Sequence, residues 1–304
     1  MTLTSTPPND GNTAYRAGFL TLAGCTNVGK STLLNRIVGQ KVAIVTPRPQ
    51  TTRRRIMGIR TDLDAQMILI DTPGFHQSRR PLNRRMIDTA RRCLAEGEVI
   101  AAVIEAGAAL SREDRDLLTE IARLARPTVI AVNKIDRRGA ARTLPLIDQA
   151  HRVMPDAAIV PISALTGENV DELLRVIKPL LPLSAALMPA DEYTDQTERM
   201  IAEEIVREKI FLAMRQEVPF STAVVVERFV EEEALTRIEA VIVVARESHK
   251  GMVIGAGGAR LKAIGTEARR ELEEMLGRHI FLGLHVKVEV GWTGDPRKLR
   301  ELGF

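Results

Sequence analysis

Short apolar runs alternate with amphipathic stretches through the first part of the chain. Residues 17–23, 66–70, 99–104, 128–132 and 157–162 are nearly continuous in apolar side chains. Runs of this length and character are expected of strands buried on both faces. Between them, residues 31–38, 83–95, 112–124 and 169–180 repeat their apolar positions at helical spacing. The alternation predicts an α/β fold with a mostly parallel sheet covered on both sides. Ligands of such sheets sit beyond the carboxyl ends of the strands, where Asp71 and Asn133 fall. The pattern breaks at residues 182–196, where Pro182, Ser184, Pro189 and Asp191 interrupt it. A long helix is predicted next, over 197–216, with Ile201, Ile205, Ile210 and Leu212 on or near one face. Strands at 223–229 and 237–245 follow, parted by Glu231-Glu232-Glu233, then a glycine-rich turn, a helix at 267–276 and a strand at 285–290. This second order is that of a separate α+β unit. The expected organisation is a loose tail at 1–16, a first domain at 17–181, a linker at 182–196 and a second domain with a C-terminal tail at 197–304.

Composition narrows the class. The 304 residues suffice for two domains, and 45% of them are apolar, enough for full cores. No uncharged apolar run is long enough to span a bilayer. The first residues lack the basic start and apolar run of a signal peptide. Cys25 and Cys93 are the only cysteines, which points away from a disulfide scaffold and toward a reducing cytosol. The five histidines show no metal-ligand spacing. The net charge of +4 hides an asymmetry: residues 1–190 carry +8 and residues 191–304 carry −4. Nucleic-acid binding by the second part must therefore rest on a local motif.

In the first part, Gly24-Cys25-Thr26-Asn27-Val28-Gly29-Lys30-Ser31, followed by Thr32, fits GxxxxGK[ST] between a predicted strand and helix. Its amides and the helix N-terminus converge on phosphate. Lys30 adds a cation for the outer phosphates, and Ser31 a hydroxyl for Mg²⁺. Asp71-Thr72-Pro73-Gly74 closes the next strand. Asp71 is placed to hold Mg²⁺ through a water, and the Gly74 amide can approach a γ-phosphate. Asn133-Lys134-Ile135-Asp136 selects the base. The Asp136 carboxylate can accept from both N1–H and the exocyclic amine of guanine, whereas adenine would leave it unpaired. Lys134 can lay its stem on the ring, and Asn133 ties the loop down. Ser163-Ala164-Leu165 supports that loop and offers an N–H to guanine O6. In Gln50-Thr51-Thr52-Arg53-Arg54-Arg55, a threonine can complete the Mg²⁺ shell when the γ-phosphate is present, Thr52 rather than Thr51. The three arginines read either as a solvated basic stretch or as a partner-contacting surface that changes with the nucleotide.

In the second part, Met252-Val253-Ile254-Gly255-Ala256-Gly257-Gly258 holds a G-x-x-G element flanked by Lys250, Arg260 and Lys262. Placed between helices after a helix-strand-strand order, it reads as the loop of a KH domain, which brings backbone close to single-stranded RNA. The flanking cations meet phosphates, and Val253 and Ile254 offer an apolar surface to bases. Trp292 reads as a packing anchor. Arg297-Lys298-Leu299-Arg300 reads as a solvated tail, with RNA or membrane headgroups as the alternative contact.

Together these segments resemble the translation-factor-like GTPases and, more narrowly, the Era family, over nearly the whole chain from about residue 17. The resemblance implies a GTPase domain followed by a type II KH domain. It also implies a monomer that binds small-subunit ribosomal RNA and acts in assembly of that subunit, in the cytoplasm with peripheral association with the inner membrane. Two other readings stay open: an RNA-binding assembly chaperone whose nucleotide site only senses, and a GTPase of tRNA modification or large-subunit assembly. The family usually has proline where this chain has Thr26. Phe75 stands where many GTPases place a water-orienting glutamine, so slow intrinsic turnover is expected. Lys30, Asn27, Thr52 and Gly74 remain as the catalytic candidates. Asn27 matches an asparagine that related GTPases use to hold a monovalent cation, which implies K⁺ here.

Overall fold

The computed structural model describes residues 15–75, 81–214 and 218–302. All but the end of the expected N-terminal tail lies outside them. The chain runs β1 (Arg16–Ala23), α1 (Lys30–Val38), β2 (Ile56–Thr61), β3 (Ala65–Asp71), α2 (Pro81–Glu96), β4 (Val99–Glu105), α3 (Arg112–Ala122), β5 (Thr128–Asn133), α4 (Ile135–Arg138), α5 (Leu144–Val153), β6 (Ala158–Pro161) and α6 (Val170–Ile177). These strands form one sheet in the order β2-β3-β1-β4-β5-β6. Only β2 is antiparallel. The central strands β3, β4 and β5 are buried almost end to end, as their unbroken apolar runs require. After β1 the chain builds β2 and β3 on one side, then crosses to build β4 on the other. The loop after β1 therefore lies at the point where the strand order reverses, where sheets of this kind bind ligands.

Strand β2 escapes the apolar pattern because Gly58 and Arg60 interrupt it. Gly58 has a packing reason: a Cβ there would come within 2.7 Å of both Leu34 and Val38 on α1. Residues 182–196 are strapped to this edge. The Ala17 amide donates to Pro182 O and the Ile59 amide to Tyr193 O, and the Gln66 carboxamide bonds the backbone of Leu187 and Met188.

The second unit comprises α7 (Glu198–Ala213), β7 (Thr222–Glu231), β8 (Thr236–Val244), α8 (Glu247–Ile254), α9 (Ala259–Leu276), β9 (Ile280–Val288) and α10 (Pro296–Glu301). Strand β8 is central, antiparallel to β7 and parallel to β9. Ile201, Ile205 and Ile210 of α7 pack in its core with Ile242 and Leu272, but Leu212 is exposed. The α9 helix begins at Ala259, well before the expected 267; its first turns escape the apolar pattern because Arg260, Lys262 and Thr266 lie on an open face.

Two interfaces join the units. An apolar one unites Leu82 and Met86 of α2 with Val241, Val243, Trp292 and Leu299. Trp292 is fully buried and donates from Nε1 to Ser221 O. The C-terminal basic run is therefore not a solvated tail: Leu299 is buried, and Lys298 is paired with Glu289. The polar interface joins residues 41–55 to α7. Lys41 pairs with Glu208 (2.6 Å) and with Glu271 of α9. The Val45 amide donates to Glu208 (2.9 Å), and Arg54 pairs with Glu203 (3.2 Å).

Candidate functional site

The loop after β1 is shaped by residues that tolerate unusual backbone. Gly29 has φ +100° and Asn27 φ +68°, values that glycine adopts freely and asparagine more readily than most side chains. Gly24 lies against the Val103 carbonyl, where a Cβ would come within 2.4 Å. Lys30 opens α1 and is buried; its ammonium donates to the carbonyls of Gly24 (3.0 Å) and Cys25 (2.9 Å). Burial holds its pKa below the ordinary lysine value, although Asp71 opposes this. Burial, reinforced by Asp114, pushes the Cys25 thiol pKa far up, which disfavours the reactive thiolate.

The end of β3 lies beside this loop. Leu22 is in register with Asp71, and Cys25 bridges Phe75. The Phe75 amide donates to Gly24 O (3.1 Å), and Thr72 Oγ1 donates to Leu22 O (3.0 Å). Gly74 presses on Thr26: a Cβ at 74 would meet Thr26 Cα at 2.7 Å and its N at 2.9 Å. The side chain of Phe75 turns into the core, so it polarises no water.

Three oxygens converge between these loops. Ser31 Oγ donates to Asp71 Oδ2 (2.6 Å), and Thr52 Oγ1 lies 2.9 Å from Ser31 Oγ and 3.3 Å from Asp71 Oδ2. Thr51 faces elsewhere; its hydroxyl bonds Thr46 Oγ1 and Arg48 O within the loop. Asp71 is fully buried, and its Oδ1 has no hydrogen-bond partner. Burial raises its pKa, although Lys30, Ser31 and Thr52 counter this. Hard hydroxyl and carboxylate oxygens around an unsatisfied carboxylate atom suit Mg²⁺, which takes few protein ligands and retains waters.

The base-reading loop is tied to the phosphate loop through Asn133. Its Nδ2 donates to Val28 O (2.8 Å), and its Oδ1 accepts from the Ala164 amide (2.8 Å). Lys134, at φ +70°, donates to Asn27 O and Glu105 (both 2.6 Å). Ser163 Oγ donates to Asp136 Oδ1 (2.6 Å), fixing the carboxylate. A cavity of about 410 Å³ runs from Lys30 and Ser31 past Gly74 to Asp136, Ala164 and Leu165. Residues 44–48 also line it, and the Asn27 carboxamide donates to Pro47 O (3.0 Å). This cover was not apparent in the sequence, because a loop with two prolines and mixed polarity carries no periodic signal.

A second cavity, about 440 Å³, lies along α9 and β9, lined by Gly258, Leu261, Lys262, Gly265, Thr266, Arg269, Leu282 and Leu284. The G-x-x-G element opens it between α8 and α9. Gly255, Gly257 and Gly258 have φ of +73°, +56° and +80°, and a Cβ at Gly255 would come within 2.8 Å of Arg260 Cβ. The Arg260 guanidinium folds back onto Met252 O. Ala256 and Lys262 are exposed, while Lys250 and Ile254 are partly so. Val253 corrects the sequence reading: it is wholly buried in the core and presents no surface to a base. Leu261, Leu282 and Leu284 form the apolar wall instead. They were missed because they lie apart in sequence and meet only across the groove.

A phosphate loop, a carboxylate-hydroxyl cluster and a guanine-type loop on one sheet edge, followed by a KH unit, define a P-loop GTPase with an appended RNA-binding domain. Residues 19–134 match the family of 50S ribosome-binding GTPases, and residues 217–293 match the KH domain family. The GTPase Era of Syntrophus aciditrophicus is 46% identical over 292 residues, which is 95% of each chain. That of Nitratidesulfovibrio vulgaris is 44% identical over 301 residues, 96% of this chain and 98% of its own. Among solved structures, an Aquifex aeolicus Era variant bound to GDP·AlF₄⁻ superposes with a TM-score of 0.92 at 41% identity, covering 95% of this chain and 99% of that one. An Era complex with MgGDPNP and nucleotides 1506–1542 of 16S ribosomal RNA gives 0.92 at 40% identity, with the same coverage. The chain belongs to the Era family and is a GTPase.

Gly29 provides a direct check on the joined loops. Alanine there is strained at φ +100° and places its Cβ 2.3 Å from Asn133 Nδ2. Strain of this kind costs about 1–3 kcal/mol. Gly29→Ala should therefore weaken guanine-nucleotide binding by about 5- to 150-fold in a fluorescent-GDP titration.

Proposed function

We propose that this chain is a GTP-hydrolysing switch that grips single-stranded RNA of the small ribosomal subunit and acts in assembly of that subunit. The observation that carries this reading is the sharing of residues 41–55: they cover the nucleotide cavity and also pair with α7 of the RNA-binding unit. Residues 17–181 serve as the GTPase unit and 197–304 as the KH unit, with 182–196 as the strap between them.

In this reading the amides of residues 24–32 cradle the phosphates, and Lys30 meets their charge. Ser31 and Thr52 bind Mg²⁺ directly, and Asp71 holds it through a water. The ion, when bound, neutralises charge that develops between the β- and γ-phosphates. The Gly74 amide faces the γ-phosphate, and Asp136, with Asn133, Lys134 and residues 163–165, selects guanine. Phe75 contributes no polar group, so Asn27 is assigned a K⁺ ion that supplies the missing transition-state charge. RNA follows the groove from the loop at 255–258 along α9 and β9. Its phosphates meet Lys250, Arg260, Lys262 and Arg269, and its bases meet Ile254, Leu261, Leu282 and Leu284. A cytoplasmic site of action with peripheral contact to the inner membrane follows from the family resemblance alone. No helix among the described residues is long and apolar enough to cross a membrane.

Three experiments test this reading. Gly255→Asp places a carboxylate beside the RNA backbone and should abolish binding to a single-stranded ribosomal RNA oligonucleotide while GTP hydrolysis stays within about twofold. Lys30→Ala should do the reverse for hydrolysis. Unchanged RNA affinity in the first variant removes the groove assignment; unchanged turnover in the second makes the site a sensor. Hydrolysis should also be about tenfold or more faster in K⁺ than in Na⁺ buffer, an electrostatic contribution of about 1.4 kcal/mol or more. Equal rates remove the cation from Asn27.

A further inference from the structure

Arg53 touches neither the nucleotide cavity nor the RNA groove. It is nevertheless 5% exposed, and Arg207 is the one other arginine buried to this degree among the described residues. Its guanidinium leaves the GTPase unit and enters the KH unit. Nη1 donates to Thr222 O (2.7 Å) and Nη2 to Pro219 O (2.8 Å), at the start of β7. Its carbon lies 5.7 Å from the centre of the Phe211 ring, against which Phe220 packs edge-on. Burial, with Arg207 alongside, lowers its pKa to about 9, which leaves it charged at neutral pH. A charge so far from water is retained only where its donors are satisfied. Here the two backbone carbonyls, the aromatic face and the nearby Glu204 carboxylate provide for it.

Arg53 directly follows Thr52, and adjacent Cα atoms lie about 3.8 Å apart. The chain on the other side of Thr52 is also held, by Thr51 on Thr46 and Arg48 and by the Arg48 guanidinium on Met214 O. Thr52 is thus suspended between two anchors that both reach the other domain, Arg53 directly and Arg48 through Met214 O. We propose that Arg53 is a positioning residue for GTP hydrolysis: seated on the Pro219 and Thr222 carbonyls, it holds the Thr52 hydroxyl against Ser31 and Asp71. This rests on the reading of Thr52 as a Mg²⁺ ligand. The KH unit thereby contributes to the GTPase centre without touching the nucleotide, and any movement of β7 away from residues 50–55 withdraws Thr52.

The test is single-turnover GTP hydrolysis by the full chain across a Mg²⁺ titration, in wild type, Thr52→Ala, Arg53→Gln, Arg53→Lys and the Thr52→Ala/Arg53→Gln double variant. GDP affinity and thermal midpoint are measured alongside. Arg53→Gln should slow hydrolysis by about 10- to 100-fold, the range for a displaced group remote from the chemistry. It should also raise the half-saturating Mg²⁺ concentration while leaving GDP affinity within about twofold. Arg53→Lys keeps the charge but loses the two-pronged geometry, and should fall between. The double variant should be no slower than Thr52→Ala, because both changes remove one interaction. If Arg53→Gln proves too unstable to assay, Arg53→Lys carries the same comparison. Unchanged hydrolysis in Thr52→Ala overturns the Mg²⁺-ligand reading and the proposal with it. Slow Thr52→Ala with wild-type rate and Mg²⁺ dependence in the Arg53 variants overturns the proposal alone. So does a double variant slower than either single, or a loss of GDP affinity and thermal midpoint with no change in Mg²⁺ dependence.

Discussion

Residues 41–55 have two sets of partners, and satisfying both requires the two domains to sit as they do. Toward the nucleotide cavity the segment offers Thr52 and the cover at 44–48. Toward the KH unit it offers Lys41, Arg48, Arg53 and Arg54, which meet carboxylates and carbonyls on α7, α9 and the start of β7. Most of these cations are partly buried, so displacing the segment costs them their partners and leaves Glu203 with the Val226 amide and Glu208 with Lys209 alone. Breaking a buried pair by removing one member is costly, even where the pair itself contributes little. The apolar contact of α2 with Trp292 and Leu299 adds a second point of attachment, directly downstream of the loop at 71–75.

The nucleotide site carries its own unresolved electrostatics. Burial lowers the pKa of Lys30 and raises that of Asp71. A phosphate dianion beside the ammonium and a divalent cation beside the carboxylate, as proposed, would oppose both shifts. The ligand and its ion thus stabilise the charged forms that the fold alone disfavours. Thr52 is the group through which this local balance reaches the inter-domain segment.

What the sequence revealed and what it withheld follow one physical division. The phosphate loop, the segment 71–75 and the base loop 133–136 are each contiguous, because in the proposed reading backbone amides and adjacent side chains would do the binding. Their spacing was legible before any coordinates. Features made by distant residues were not. Strand β2 was hidden by Gly58, which is glycine because α1 packs on it. The first half of α9 was hidden because its outward face is the groove and carries no apolar stripe. Val253 was misread as surface because apolar residues beside a glycine loop look alike whether they face solvent or core. The basic run at 297–300 looked solvated, since nothing local shows that Leu299 inserts under α2. Arg53 read as one of three similar arginines; only the tertiary structure separates it from Arg54 and Arg55.

In the arrangement described, Thr52 is seated on Ser31 and Asp71 while the groove along α9 and β9 is open. A nucleotide that favours this seating should therefore favour RNA, and linkage requires the reverse as well. The most direct measurement is the affinity of the full chain for an RNA spanning nucleotides 1506–1542 of 16S ribosomal RNA, the segment bound in the related Era complex, with GDP and with a non-hydrolysable GTP analogue. Tighter binding with the analogue is expected, by about 5- to 150-fold, the usual span of a coupling free energy. Equal affinities in the two nucleotide states would contradict it.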